Sequence, residues 1–399
     1  MIDIKDKKLC CGCNACVQRC PKKCISVQED EEGFLYPLVD LSMCIDCGLC
    51  EKVCPVLNQG SERNPIELFA AANRDDSIRM QSSSGGIFTA LAEQVIQEKG
   101  VVFGARFDEK WEVKHDYTET IEGLKAFRGS KYVQSRIGDT FSKAEFFLKA
   151  GRKVMFTGTP CQIAGLRLFL RKEYENLLAV DIICHGVPSP LVWRKYLGEK
   201  IQQGGLESIQ SISFRNKNTG WENYSFQIEY NKNHLKSFFS EYASQNIFMK
   251  GFLADLYLRP SCYACPAKKL KSGSDITLGD FWGIQHIKPE LDDDKGVCAF
   301  IINTRKGIEW QNKLVIQKYK FDFTDVVKGN PSLVYSVDIP EKRAAFYDKL
   351  RTSGLIKLVS KYTELPLILR LKIFIYNLLK RILSTNKLFL CIFLYLLIC

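Results

Sequence analysis

Seventeen of the 399 residues are cysteines, and eight of them fall into two runs of one spacing. The first run is Cys10-x2-Cys13-x2-Cys16-x3-Cys20-Pro21, and the second is Cys44-x2-Cys47-x2-Cys50-x3-Cys54-Pro55. A tight loop that delivers three thiolates suits a cubane iron–sulfur cluster. The fourth cysteine, before a proline that redirects the chain, reaches the other cluster. The spacing therefore predicts one [4Fe–4S] cluster on Cys10, Cys13, Cys16 and Cys54, and a second on Cys44, Cys47, Cys50 and Cys20. Zinc sites use one or two C-x2-C pairs with a longer spacer, which these duplicated runs do not match. Cys11 and Cys24 stand outside the pattern and read as small buried residues.

Seven cysteines lie beyond this segment: Cys161, Cys184, Cys262, Cys265, Cys298, Cys391 and Cys399. Cys161 follows "KVMFTGTP" at the mouth of a helix, and Cys184 ends "LLAVDIICHG" at a neighbouring strand-to-helix turn. Cys262 and Cys265 form C-x2-C-Pro in "SCYACPAKK". Two turns and one C-x2-C pair can supply a third four-thiolate cage. From the residues alone Cys161 stays open between cluster ligand, thiolate nucleophile and inert packing. A helix N-terminus favours a thiolate, but no partner base is linked to it by motif. Cys298 in "GVCAFIINT" reads as a buried strand residue. The histidines at 115, 185, 234 and 286 are scattered and make no metal site; only His185, beside Cys184, invites attention.

The elements that must position these groups alternate in type. "ISVQEDEEGFLYPLVDLSMC" reads as two short strands around a Glu-Glu-Gly turn, and "NQGSERNP" (58–65) as a linker. "ELFAAANR" and "VVFGARFD" read as strands around the helix "GIFTALAEQVIQEKG". The strand "KVMFTGTP", the helix "CQIAGLRLFLRKEY", the strand "LLAVDIICHG" and the helix "SPLVWRKYLGEKIQQ" follow, an α/β pattern. After Gly205 come two antiparallel strands, "LESIQSISFRNK" and "ENYSFQIEYNK", then the helix "NIFMKGFLADLYL". "RMQSSSGGIF" places Ser82 to Gly86 at a helix start, where free N–H groups suit a phosphate; a plain N-cap is the alternative. There is no Walker A lysine, G-x-G-x-x-G, G-x-S-x-G or H-E-x-x-H.

Six ordered stretches, "SSSGGIFTAL", "GSKYVQS", "FTGTPCQIAGL", "ICHGVPSP", "CYACP" and "SDITLGDFWG", resemble the family of coenzyme F420 hydrogenase/dehydrogenase beta subunits. With the N-terminal two-cluster ferredoxin segment, the resemblance covers most of residues 1–340. It implies a flavoprotein that binds FAD beside a [4Fe–4S] cluster, with Cys161, Cys184, Cys262 and Cys265 as that cluster's ligands. It also implies Ser83, Ser84, Gly85 and Gly86 at the FAD phosphates, with Lys131, Gly158 and Thr159 as further FAD contacts. A flavin accepts two electrons as a hydride and passes them on singly, as clusters require.

The expected fold is α+β to α/β: a ferredoxin-type domain (1–58), an α/β flavin-binding core with a mixed sheet (66–150 and 151–340), and a tail (341–399). The expected cofactors are three [4Fe–4S] clusters and FAD. The expected activity is an oxidoreductase moving electrons between the clusters and an organic substrate at FAD, an F420-like coenzyme or a metabolite linked to surface polysaccharide synthesis. The alternative is an electron-transfer subunit of a membrane-associated complex with no substrate of its own. The partner is then a redox protein or a small hydride donor or acceptor, and no catalytic side chain is singled out.

The charge is uneven. Of the net +11, the last 60 residues carry +8, with basic residues among Leu, Ile and Phe rather than spread on an aromatic-rich face, which argues against nucleic acid. "LPLILRLKIFIYNLLKRIL" (365–383) suits an interfacial helix, and the twelve apolar residues of 388–399 are too few to span a bilayer. "MIDIKDKKLCCGC" lacks the apolar core of a secretory leader. The expectation is a cytoplasmic protein, peripheral at the inner face of the membrane through 365–399, in a compartment where many cysteines mean ligation or catalysis rather than disulfides.

Overall fold

The computed structural model describes residues 1–364, apart from 205 and 207. The proposed membrane-contacting segment 365–399 lies outside the described residues.

The N-terminal segment folds as expected around its cysteines. β1 (Ile25–Glu29) and β2 (Leu35–Val39) pair antiparallel. The turn between them uses Gly33 at φ +86°, where a side chain would collide with Leu191 of the core. Two short helices, Ala15–Arg19 and Leu49–Lys52, follow the tight cysteine loops. Each begins on a left-handed residue, Asn14 or Gly48, the conformation that glycine and asparagine tolerate best.

The core is an eight-stranded mixed sheet. Its strands are β3 (Glu67–Asn73), β4 (Val101–Phe107), β5 (Val113–Thr118), β6 (Val154–Gly158) and β7 (Leu177–Ile182). A separate antiparallel sheet is made of β8 (Ile209–Asn216), β9 (Ser225–Lys232) and β10 (Leu235–Tyr242). The large sheet is then completed by β11 (Ile276–Asp280), β12 (Cys298–Ile302) and β13 (Ile316–Lys320), in the order β13-β3-β12-β11-β7-β6-β4-β5. Only the middle pairs, β4–β6, β6–β7 and β7–β11, are parallel.

That centre follows from its composition. β6, β7 and β12 are almost wholly buried apolar runs, as strands covered on both faces must be. Helices Ile87–Gln97, Thr140–Lys149 and Pro160–Leu170 supply the cover through Leu91, Val95, Phe141, Leu166 and Phe169. Cys298 is 3% exposed within β12, the packing role expected of it.

The small sheet packs around Phe214, Phe226, Trp193 and Phe248. Helices Arg343–Leu350 and Leu355–Thr363 bury Phe346, Leu350, Leu355, Leu358 and Val359 in the same cluster. Residues 343–363 are thus part of the packed body. Among the described residues, no helix is long and apolar enough to cross a membrane.

Candidate redox site

The parallel strands direct their C-terminal ends to one edge of the sheet, where open α/β sheets bind ligands. β6 runs into Gly158, Thr159, Pro160 and Cys161, and β7 runs into Cys184; Gly158 is in register with Asp181 across the two strands. The helix Pro160–Leu170 starts sharply because Thr159 and Gln162 form a capping box and Pro160 occupies its first turn. Cys161 is thereby held at the sheet edge, its sulfur 3.3 Å from Thr159 Oγ1.

Cys161, Cys184, Cys262 and Cys265 converge on one cleft, which Cys11 also lines. Cys262 and Cys265 are presented by the short 3-10 turn Pro260–Ala264, and Cys262 Sγ accepts from Val187 N at 3.4 Å. Burial pushes the Cys262 thiol up to about 12, and burial also raises Cys184 against the opposing charge of Lys268. Cys161 is raised first by its sulfur neighbour Cys11 and then by burial. A helix-terminus nucleophile would need the opposite shift. Crowded buried thiols suit a cationic core that takes them as thiolates together. Lys268 adds a fixed cation beside them, donating to the carbonyls of Cys184 and Ser332 at 2.8 and 2.6 Å. Asp181, in the same cleft, accepts from the Ser272 and Thr277 hydroxyls, and burial raises its carboxyl to about 6.

The N-terminal runs form two further thiol groups. Cys13, Cys16 and Cys54 are buried in one cluster with core residues, and Cys10 is a near neighbour of Cys16 and Cys54. Burial and the nearby Cys10 and Cys54 push Cys16 up to about 12. Cys20, Cys44, Cys47 and Cys50 line a second cleft with Cys24. There Cys47 is exposed, and Cys20 and Cys24 sulfurs sit 3.4 Å apart. Backbone N–H groups of Ile2 and Asp46 point at Cys50 and Cys44 sulfurs, at 3.3 and 3.4 Å. Such bonds to sulfur tune cluster potentials. Among the described residues, no three Cys, His, Asp or Glu side chains close on a point tight enough for a single metal ion; the thiols surround clefts instead.

The residues expected at FAD gather at the same sheet edge. Ser84 Oγ donates to Val297 O at 2.8 Å and to Gly279 O at 3.3 Å, against the ends of β12 and β11. Ser83 Oγ accepts from Ser130 N at 2.7 Å, which brings the loop carrying Lys131 onto the serine turn. Gly85 packs so closely on Ala71 O that a side-chain carbon would sit 2.3 Å away. Gly86, at φ +79°, caps the helix Ile87–Gln97 without any side-chain acceptor. No side chain caps the first-turn N–H groups of that helix, and Arg128 stands beside them on Thr89 Oγ1 at 3.1 Å. This is chemistry suited to an anion. Lys131 donates to the Ala126 and Arg128 carbonyls, and burial with the charge of Arg106 lowers its ammonium to about 7.

Three features had no signal in the sequence. Arg215 forms a buried ion pair with Asp280, Nη1 to Oδ2 2.7 Å, and donates to Ser83 O at 3.2 Å. Trp221 donates to the same Asp280 and stacks on Trp282 at 4.9 Å and 6°. Arg259, 1% exposed, joins the core to the Cys10 loop. Each depends on residues more than fifty positions apart. His185 pairs with Asp255 at 2.6 Å at the rim of the core cleft, and His115 is buried with Nε2 on Thr157 O at 2.9 Å.

Comparison with known proteins assigns most of the chain to known domain families. Residues 151–326 match the model for the C terminus of the coenzyme F420 hydrogenase/dehydrogenase beta subunit, 68–140 the model for its N terminus, and 9–58 a 4Fe-4S dicluster domain. The chain is 24% identical over 189 residues to the F subunit of F(420)H(2) dehydrogenase from Methanosarcina mazei, covering 44% of this chain and 53% of that protein. It is 27% identical over 221 residues to coenzyme F420-dependent sulfite reductase of Methanocaldococcus jannaschii, covering 52% and 34%. The chain thus spans about half the length of the first relative and about a third of the second. A ferredoxin of Mycolicibacterium smegmatis is 40% identical over 87 residues, 21% of this chain and 71% of that one. A chain from the F420-reducing [NiFe] hydrogenase complex of Methanosarcina barkeri is 18% identical, with TM-score 0.45, over 68% of this chain and 90% of that one. Read with the thiol sets, the matched domains place the chain in the family of coenzyme F420 hydrogenase/dehydrogenase beta subunits, as an iron–sulfur electron-transfer protein with a 4Fe-4S dicluster domain at its N-terminal end.

Proposed function

We propose that the chain is an iron–sulfur flavoprotein oxidoreductase that carries electrons between its ferredoxin-type thiol sets and an FAD at the C-terminal edge of the large sheet. The observation that carries this reading is the convergence of Cys161, Cys184, Cys262 and Cys265 on one cleft, at the sheet edge that also holds the uncapped helix Ile87–Gln97.

In this reading Cys10, Cys13, Cys16 and Cys54 hold one [4Fe–4S] cluster, Cys44, Cys47, Cys50 and Cys20 a second, and the four core cysteines a third. Ser83, Ser84, Gly85 and Gly86 hold the FAD phosphates, with Lys131, Gly158 and Thr159 as further contacts. The flavin supplies the exchange between two-electron and one-electron chemistry. The protein's own contribution is placement. The serine turn is fixed by Ser130, Val297 and Arg215, and Lys268 and the Val187 N–H stabilise thiolate charge in the core cleft.

The substrate reading follows the relatives' names: an F420-like deazaflavin or another small hydride donor or acceptor. A second reading, a subunit that only relays electrons to a partner protein, is favoured by the exposure of Cys47, which opens the second thiol set to an incoming redox surface. Contact of residues 365–399 with a membrane's inner face would place that partner there.

The deciding experiment measures iron and flavin per chain in anaerobically purified protein and in a Cys262→Ser/Cys265→Ser variant. Roughly twelve irons and one FAD, falling by roughly four irons in the variant, are expected for three cubane clusters. Roughly eight irons in both proteins would overturn the third cluster and return Cys161 to the nucleophile reading. F420-like substrates that bleach the flavin would select the enzyme over the relay.

A further inference from the structure

The seam between the N-terminal module and the core is built around a fifth cysteine that neither thiol set needs. Cys11 is 5% exposed. Its thiol is a near neighbour of Cys13, in the first ferredoxin-type set, and of Cys161, in the core set, each of which perturbs its titration. It also lines the core cleft itself. Cys11 thus lies between Cys13 of one set and Cys161 of the other, two residues from the first and lining one cleft with the second.

The seam is held rigidly from the core side. Arg259 Nε donates to Cys10 O at 2.7 Å, and Nη2 donates to Leu35 O at 2.9 Å and reaches Cys10 Sγ at 3.5 Å. Nη1 donates to Gln134 Oε1 at 2.9 Å, and Gln134 Nε2 in turn donates to Cys11 O at 3.1 Å. A side chain at Gly12 would meet Arg259 at 2.7 Å, and one at Gly165 would meet Cys13 at 2.9 Å. Only glycine lets the loop and the helix Pro160–Leu170 approach this closely. Arg259 is also three residues ahead of Cys262, so the clamp and a core thiol share one short stretch of backbone.

We propose that Cys11, seated by Arg259, is the fixed electron-transfer contact between the Cys10/Cys13/Cys16/Cys54 set and the core set, so that electrons cross the seam without the module ever leaving it. This rests on both sets being cluster ligands, as argued above. In each crossing one electron leaves the reduced cluster of one set and reduces the oxidised cluster of the other. No bond breaks and no proton moves, and Cys11 stays a thiol throughout. Its role is positional: a polarizable sulfur fills what would be a void between two ligand sulfurs.

The test uses full-length, anaerobically purified protein and its Cys11→Ala and Arg259→Lys variants. Four quantities are read: iron per chain, the electron paramagnetic resonance spectrum of each reduced cluster, their midpoint potentials, and the rate of electron exchange between clusters after flash reduction by an external photosensitiser. Cys11→Ala is expected to keep its iron and its potentials while the exchange slows, because the polarizable sulfur between the two sets is removed. Arg259→Lys keeps the cation but cannot span Cys10, Leu35 and Gln134, and it too should slow the exchange. An unchanged rate at full iron in both variants would overturn the contact and leave the cofactor reading intact. Loss of core iron in Cys11→Ala would overturn it in favour of Cys11 as a ligand. A wild-type protein without core iron would overturn the cofactor reading and the contact together.

Discussion

The two ferredoxin-type thiol sets share a spacing and differ in surroundings. The set of Cys10, Cys13, Cys16 and Cys54 is walled in by Phe141, Ile163 and Leu166 of the core. Arg259 and Gln134 hold its first loop. The set of Cys20, Cys44, Cys47 and Cys50 is more open, for Cys50 is buried but Cys47 is exposed, with Met43 and Ile45 exposed beside it. A duplicated motif has thus become an inner site clamped by core side chains and an outer site that keeps one thiol, Cys47, exposed. The lesson is that position, more than ligand chemistry, separates a relay to the interior from a port to the outside.

The strongest way to break this comparison is to remove one thiol from each set. Cys16→Ser is expected to lose its cluster iron and also about 3 kcal/mol of folding stability, because it leaves a polar group in a packed seam. Cys47→Ser should lose a similar share of iron with little change in melting temperature. Equal melting shifts, read by calorimetry on both variants, would erase the distinction between inner and outer sites.

Acid should discriminate the two regions in a second way. His115 lines the cleft shared with Gly12 and Asn14 of the inner loop, and burial lowers its imidazole to about 4. Between pH 6.5 and 4 the unfolded chain binds a proton that the folded one refuses, so stability falls as pH falls through that window. The fall amounts to about 3 kcal/mol. His115→Phe, which retains the stacking on Phe156, should flatten it. Denaturant melts at pH 7, 5.5 and 4.5 with the same slope in both proteins would remove His115 from the seam's acid response.

Smaller changes sharpen the picture. Gly165→Val would push a side chain against Cys13 and is expected to cost about 2 kcal/mol by overpacking. It should alter the resonance signal of the inner set and leave that of the outer one; a change confined to the outer set would contradict the packing described. At the outer set, Ser42→Ala removes a 2.6 Å bond to Asp40 in the exposed turn that leads to Cys44. The expected loss is about 0.5 kcal/mol, with both iron signals unmoved.

Much of this architecture is legible in the chain itself. The cysteine runs and the buried apolar strands β6, β7 and β12 announce themselves through local pattern. The edge strands β5 and β13 do not, because "VKHDYT" and "IQKYK" are polar segments at sheet borders and carry little hydrophobic signal. Arg259 and Gln134 are illegible for another reason: one arginine and one glutamine, 125 positions apart, acquire meaning only when the fold brings them to Cys10 and Cys11. The serine turn reads as a helix start and folds as one. Its link to β8 through Arg215 belongs to the same long-range class.

The seam's partners also lie far apart along the chain, which bears on how the protein is made. Arg259 comes 249 positions after Cys10, and Arg343, whose guanidinium grips Glu32 beside the hairpin turn, comes 311 positions after its partner. At the usual pace of synthesis, the ribosome takes on the order of 15–60 s to travel that distance. The N-terminal module is therefore made well before the residues that seat it. Throughout that interval the clamp that Arg259 makes on the Cys10 loop does not yet exist.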